Sequence, residues 1–247
     1  MKKLIERFLQ VGCALFLVCA LAPVNAFSQV SVYAEGAYTE SDLAVYIYAD
    51  ITAPTELRSA GVKLVYDDSV LTVVAPNPSD PKATAKNEDV WFLGEESYMD
   101  PETGTTGEVV IILGKLDTAA PSEGVSGDRV LLAKVRFTRT ESSMPFSPTL
   151  GLALGKVHPN DPTDKFANFV DTEDPANVLD ETGVSFGSIT VVRRGDADAS
   201  GTVNNIDMGA VRNLILAGGY VVYADANDDD NVNNVDMGEI RKIILGL

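Results

Sequence analysis

Asp196, Asp198, Ser200, Asn204 and Asp207 occupy positions 1, 3, 5, 9 and 12 of the stretch "DADASGTVNNID". Asp225, Asn227, Asp229, Asn233 and Asp236 repeat the spacing 29 residues later in "DANDDDNVNNVD". Oxygen-bearing side chains at alternate positions of a tight loop converge on one point, which suits calcium, a hard cation that takes about 6–8 oxygens at roughly 2.3–2.6 Å. Position 7 adds a backbone carbonyl, from Thr202 and Asn231. At these positions each loop carries three carboxylates, so two calcium ions are expected.

Aligning residue 196 with residue 225 gives eleven identities over 21 positions, including both "VNN" and both "DMG" triplets. This is an internal duplication, and two copies in register argue against a merely solvated acidic turn. Position 6 needs a sharp turn with positive φ, which Gly201 supplies. Asp230 stands there in the second copy and tolerates that conformation less well, so the second site is expected to be the weaker. Val203 and Val232, at position 8, are expected to pack the loops together. Each loop leads into a helix whose apolar side is Ile206, Ala210, Val211, Leu214 and Ile215 in one copy and Val235, Ile240, Ile243 and Ile244 in the other. Gly218 and Gly219 stop the first helix.

The loops must be carried by something. Upstream of Arg193 the apolar pattern has period two and downstream roughly 3.6, which places a domain boundary there with hardly any linker. The expected organisation is a signal peptide over 1–26, a β-sandwich over 27–193 and a small helical module over 194–247. The leader "MKKLIERFLQVGCALFLVCALAPVNA" has a basic start, an apolar run and a small-residue cleavage site after Ala26. Its apolar run, Val11 to Val24, falls short of the roughly 20 residues that span a bilayer, so a secreted protein is expected, extracellular or on the cell surface, with no membrane span after cleavage. Both cysteines, Cys13 and Cys19, lie in that leader, so the processed chain has no disulfide to hold a module of about 54 residues. Metal binding is expected to be part of that module's folding. The formal charge of −17 becomes −19 once Lys2, Lys3, Arg7 and Glu6 are removed, a balance that repels nucleic acid and anionic membranes.

Between Val30 and Arg193, runs of alternating apolar residues begin near Val30, Leu43, Val62, Leu71, Val90, Val109, Val130, Leu150 and Ser188, with turn-forming residues between them. Leu43, Val45 and Ile47 share one face, as do Val62, Leu64 and Tyr66, and Leu131, Ala133, Val135 and Phe137. A mainly β fold is predicted, a nine-stranded antiparallel sandwich. The acidic segment 158–183 reads as a long loop; Asp161, Asp164, Asp171 and Asp174 follow no ligand spacing and are left unassigned. No acidic pair stands out as a glycosidase couple, and His158, the only histidine, sits in a Pro/Asp loop without a nucleophile motif. The chain is therefore expected not to be an enzyme. Trp91, Phe92, Tyr46 and Tyr48 are candidates either for sugar stacking or for packing.

The paired loops, each followed but not preceded by a helix, resemble type I dockerins, the modules that plug polysaccharide-degrading enzymes into cellulosome scaffolds. The likeness covers 195–247, and Asp at position 12 agrees with it. It implies a cohesin module of another protein as partner, met by Asn205, Ile206, Arg212 and Asn213 in one copy and Asn234, Val235, Arg241 and Lys242 in the other. For Ile206 and Val235 core packing stands beside recognition, and for the two arginines a solvated charge does. More loosely, "AGVKLVYDDSVLTVV", "GDRVLLAKVRFT" and "GSITV" are similar to cohesin strands, implying a nine-stranded jelly roll that receives dockerins and has no catalytic residues. Together these imply a non-catalytic adaptor that would meet dockerin-bearing proteins through its sandwich. The alternative is a carbohydrate-binding module, polysaccharide being its ligand, that a dockerin carries to a scaffold.

Overall fold

A computed structural model describes residues 29–77, 79–91, 101–114, 124–155, 169–171, 178–179 and 183–247. Eleven strands form two sheets among them. The first sheet contains β1 (Val30–Tyr38), β2 (Asp42–Ile51), β4 (Leu71–Val73), β5 (Ala85–Lys86), β7 (Gly127–Arg139) and β11 (Val184–Arg193). Its order is β11-β1-β2-β7-β4, with β5 also on β7. The second contains β3 (Leu57–Tyr66), β6 (Glu108–Gly114), β8 (Leu150–Leu154), β9 (Phe169–Asp171) and β10 (Val178–Leu179). It runs β10-β9-β3-β6, with β8 on β3. The three expected faces of alternating residues meet in one core: Leu43, Val45 and Ile47 from β2, Val62, Leu64 and Tyr66 from β3, and Ala133, Val135 and Phe137 from β7.

The sandwich departs from the expected nine antiparallel strands in four ways. The run at Val90 is a turn, in which Val90 and Trp91 both donate backbone hydrogen bonds to the Asn87 carbonyl. The turn-forming triplet Asn87-Glu88-Asp89 outweighs the apolar pair that follows it. Three short strands, β5, β9 and β10, are too brief for alternation to betray them. Two of these lie in the segment expected to be a loop. The last strand pairs parallel to β1, from Val30 beside Val184 to Tyr38 beside Arg193. By entering beside the start of β1 it satisfies an edge that would otherwise be open.

Leu131 is the fourth departure. Ile47 faces Ala133 while Tyr48 faces Leu131, so Leu132 is an extra residue, a β-bulge. The bulge turns Leu132 into the core and Leu131 to the opposite face, with Tyr46, Tyr48 and Val222. At the β3–β8 edge, the Gly155 N–H donates to the Gly61 carbonyl at 2.8 Å. A Cβ on Gly155 would stand 2.7 Å from the Gly61 carbonyl carbon. Gly155→Ala is therefore expected to cost about 1–3 kcal/mol in urea unfolding, since backbone rather than a pliable side chain would have to move.

After β11, helix α1 (Asn205–Ala217), a short 3-10 turn (Val222–Ala224) and helix α2 (Asn234–Leu245) complete the chain. Asn204 and Asn233 cap the helices in matching capping boxes with Asp207 and Asp236, and left-handed Gly218 and Gly246 end them. Val211 and Ile240 are the buried centre of their contact, joined by Val203 and Val232 from the two loops. Ile206 and Val235 do not join the apolar side assigned to them; they are 66% and 53% exposed. Position 11 is the second residue after the cap and is exposed, while Asp207 and Asp236, the third, are buried. No helix among the described residues is long and apolar enough to cross a membrane.

Candidate metal loops and their seat on the sandwich

The chain leaves the sandwich through Gly195, whose φ of +91° and whose closeness to Ile243 leave little room for a side chain. The Gly195 N–H donates to the Tyr223 carbonyl and the Arg194 N–H to that of Tyr38, so the module is attached without slack.

In the first loop the carboxylates of Asp196, Asp198 and Asp207 each place an oxygen within 4.8 Å of the others. Asp196 and Asp207 are buried and Asp198 is exposed. The Asp196 carboxylate accepts from the Ser200 N–H at 2.9 Å and the Gly201 N–H at 2.7 Å. That of Asp207 accepts from the N–H groups of Asp198 and Asn204. The loop wraps its backbone donors around the carboxylates, which orients the remaining lone pairs. Ser200 Oγ and the Thr202 carbonyl lie 3.4 Å apart, bringing positions 5 and 7 together. Asn204 at position 9 is differently engaged, its Oδ1 accepting from the Ile206 N–H as the helix cap.

The second loop repeats the pattern. Asp225 accepts from the N–H groups of Asp229 and Asp230, and Asp236 from those of Ala226, Asn227 and Asn233. Asp229 accepts from the Asn231 N–H, so the position-7 residue lies beside it. Asn233 Oδ1 caps α2 through the Val235 N–H. Asn227 donates its amide to Asp229 at 2.7 Å, and its Oδ1 is buried with no hydrogen-bond partner. An orphaned buried oxygen on a residue bonded to Asp229 and Asp236 is a donor that a hard cation would take. Burial pushes the carboxyls of Asp196 and Asp225 above the usual range, with neighbouring acids adding to it and backbone donors opposing it. Hydrogen bonding from Ser200 holds exposed Asp198 below that range. The carboxylate cluster of the first loop, and the same ligand spacing in the second, would suit a hard cation such as calcium.

Sequence reasoning did not find the residues that seat the second loop. Across the outer face of β2 and β7, Asp228 meets two guanidiniums. Arg136 reaches both of its oxygens at 2.8 Å and Arg194 reaches Oδ1 at 2.8 Å. Burial works against the charged Asp228, but Arg194 and Arg136 outweigh it and its carboxyl lies below the usual range. The Tyr46 hydroxyl donates to Asp230 at 2.7 Å, and Lys134 pairs with Asp230 at 2.5 Å. Burial raises the Tyr46 hydroxyl far above its ordinary value, so it serves as a donor. Arg129 lies 4.3 Å over the Tyr48 ring, bonds Glu35 and donates to the Tyr220 carbonyl. The signal was present: the second loop has Asp228 and Asp230 where the first has Ala199 and Gly201, acids that no ligand position requires.

The remaining candidates are distributed as follows. Asn205, Ile206, Arg212 and Asn213 are exposed, and so are Asn234, Val235, Arg241 and Lys242. Trp91, Tyr46 and Tyr48 are buried at 0%, 1% and 4% exposure, which removes them as a sugar platform. His158, Phe92, Asp161, Asp164 and Asp174 lie outside the described residues, and Asp171 ends β9.

No family model matches the chain, and no curated protein does. Solved structures similar to it are cohesin modules. The seventh ScaB type I cohesin from Pseudobacteroides cellulosolvens is 18% identical, with a TM-score of 0.44 over 66% of this chain and 92% of that one. The Coh-OlpC–Doc435 complex from Clostridium thermocellum, a type I cohesin–dockerin complex, is matched at 12% identity and a TM-score of 0.44, over 68% and 97% of the two chains. A type II cohesin from the adaptor scaffoldin ScaA of Acetivibrio cellulolyticus is matched at 15% identity and a TM-score of 0.39, over 66% and 94%.

Proposed function

We propose that the chain is a secreted, non-catalytic adaptor of a polysaccharide-degrading assembly, with a calcium-dependent dockerin at its C-terminus and a cohesin-like sandwich before it. The duplicated loops carry this reading: the same ligand spacing recurs in front of two helices, and in the first copy Asp196, Asp198 and Asp207 bring oxygens within 4.8 Å of one another. The outward residues fit a partner surface. Ile206 and Leu216 are exposed at the two ends of α1, and Val235 and Leu245 repeat them on α2. Exposed apolar residues placed twice by a duplication, with Arg212 and Arg241 between them, suit an interface better than a solvated surface. A cohesin module of another protein is the partner, calcium holding the helices in place.

The sandwich offers a face on β3, β6 and β8. Lys63 stands beside Val110 and Ala153, and Val65 beside Glu108 and Gly151. Val65 is 39% exposed, next to the Lys63–Glu108 ion pair at 3.2 Å. A surface of apolar residues interspersed with an ion pair suits a dockerin-bearing protein. Three of the aromatic residues that favoured the sugar-binding alternative, Trp91, Tyr46 and Tyr48, are buried.

Capture from culture medium with the full chain as bait tests the proposal. Partners are expected to be retained in calcium and lost in chelator. Ile206→Asp/Val235→Asp is expected to shift stability by less than about 0.5 kcal/mol, since both residues are exposed, yet weaken capture at least about 30-fold. Capture that ignores both chelator and this variant rejects the adaptor.

A further inference from the structure

Resting on the calcium reading above, we infer that the second calcium loop is completed by the sandwich. Tyr46, Lys134 and Arg136 are positioning residues that hold its turn ready for the ion, so calcium uptake there and docking of the module strengthen each other.

The two loops differ where the sandwich touches them. In the first, Ala199 and Gly201 take φ of +54° and +91°, and a side chain on Gly201 would meet open space. In the second, Asp228 and Asp230 take φ of +62° and +65° at the same positions. Left-handed backbone is costlier for aspartate than for glycine, and neither residue is a candidate ligand. Both side chains point into the sandwich. Asp228 is held by Arg136 and Arg194, and Asp230 by Tyr46 and Lys134.

This contact is relayed to the candidate ligands. The same Asp230 whose carboxylate is held by Tyr46 donates its N–H to Asp225 Oδ2 at 2.8 Å. The Tyr220 hydroxyl reaches that oxygen at 3.2 Å, and Tyr220 packs against the Tyr46 ring at 6.3 Å. Arg194 bridges the two parts by bonding both Asp228 and the Asp225 carbonyl. Within this fixed turn lies the unbonded, buried Asn227 oxygen, an independent sign that a ligand is expected there. The aspartate that looked like a weakness at position 6 thus anchors a preorganised site. Thermodynamic linkage makes the coupling reciprocal.

The sign of one experiment separates this role from plain electrostatics. Lys134 and Arg136 are cations near a cation site, so by Coulomb's law alone their removal tightens calcium binding. If they position the turn, removal weakens it. Calcium titration calorimetry on the full chain would compare wild type, Lys134→Met/Arg136→Met and Tyr46→Phe, the last retaining the buried ring so that the fold persists. Amide hydrogen exchange would report separately on 196–207 and 225–236. Both variants are expected to weaken one of two ions about tenfold, leave the other unchanged, and speed exchange over 225–236 alone in chelator. Unchanged or tighter binding of both ions would overturn the positioning role and leave the calcium reading intact. A wild type that takes up no ion would sink both.

Discussion

Asp207→Ala or Asp236→Ala is expected to unfold the C-terminal module. Each carboxylate is fully buried and closes its loop at position 12. Asp207 accepts from two backbone N–H groups and Asp236 from three. Each also forms one arm of a helix capping box. Every buried donor left unpaired costs about 1–3 kcal/mol, and loss of the proposed calcium ligand would add to that. A module of about 54 residues holds roughly 3–8 kcal/mol in total, so one such change exhausts it. Far-ultraviolet circular dichroism should show the loss of helix with the β signal of the sandwich retained. Helix preserved in either variant would show that neither this capping arm nor an ion held by it is needed for the fold of the module.

Trp91→Ala should have the largest effect on the sandwich. The indole is 0% exposed and heads the fully buried side chains by volume. Its N–H finds no acceptor among the described residues, so its contribution is apolar packing. Removing it leaves a cavity beneath the turn that starts at Asn87, at a cost of about 3–5 kcal/mol in urea unfolding. A change below about 0.5 kcal/mol, accompanied by lost retention on oligosaccharide, would instead mark an exposed sugar platform.

The duplicated acidic loops and the core faces could be read from the chain because both are local, one being a spacing and the other an alternation. Gly201 needed no partner to be interpreted, whereas Asn204 and Asn233, read as ligands at position 9, cap the helices. What stayed hidden depends on distant residues. The Leu132 bulge reverses Leu131 and becomes visible only when β7 lies beside β2. Tyr46 and Tyr48 share a face, as expected, but that face is covered by Val222, Tyr220 and Tyr223 from the far end of the chain. β2 is therefore buried on both sides, which alternation alone does not predict. Asp230 had the same fate: judged within its loop it departs from glycine, and only Tyr46 and Lys134, separated from it by some hundred residues or more, give it a purpose. Ile206 and Val235 fell on the wrong side because helical periodicity was extended back into the first turn, where the cap sets the direction.

Calcium titration of the metal-stripped full chain, followed by the helical circular dichroism signal, bears most directly on the central claim. Helix should rise as two ions enter and fall again on chelation. A signal already at its full height in metal-free buffer and unmoved by calcium would contradict it.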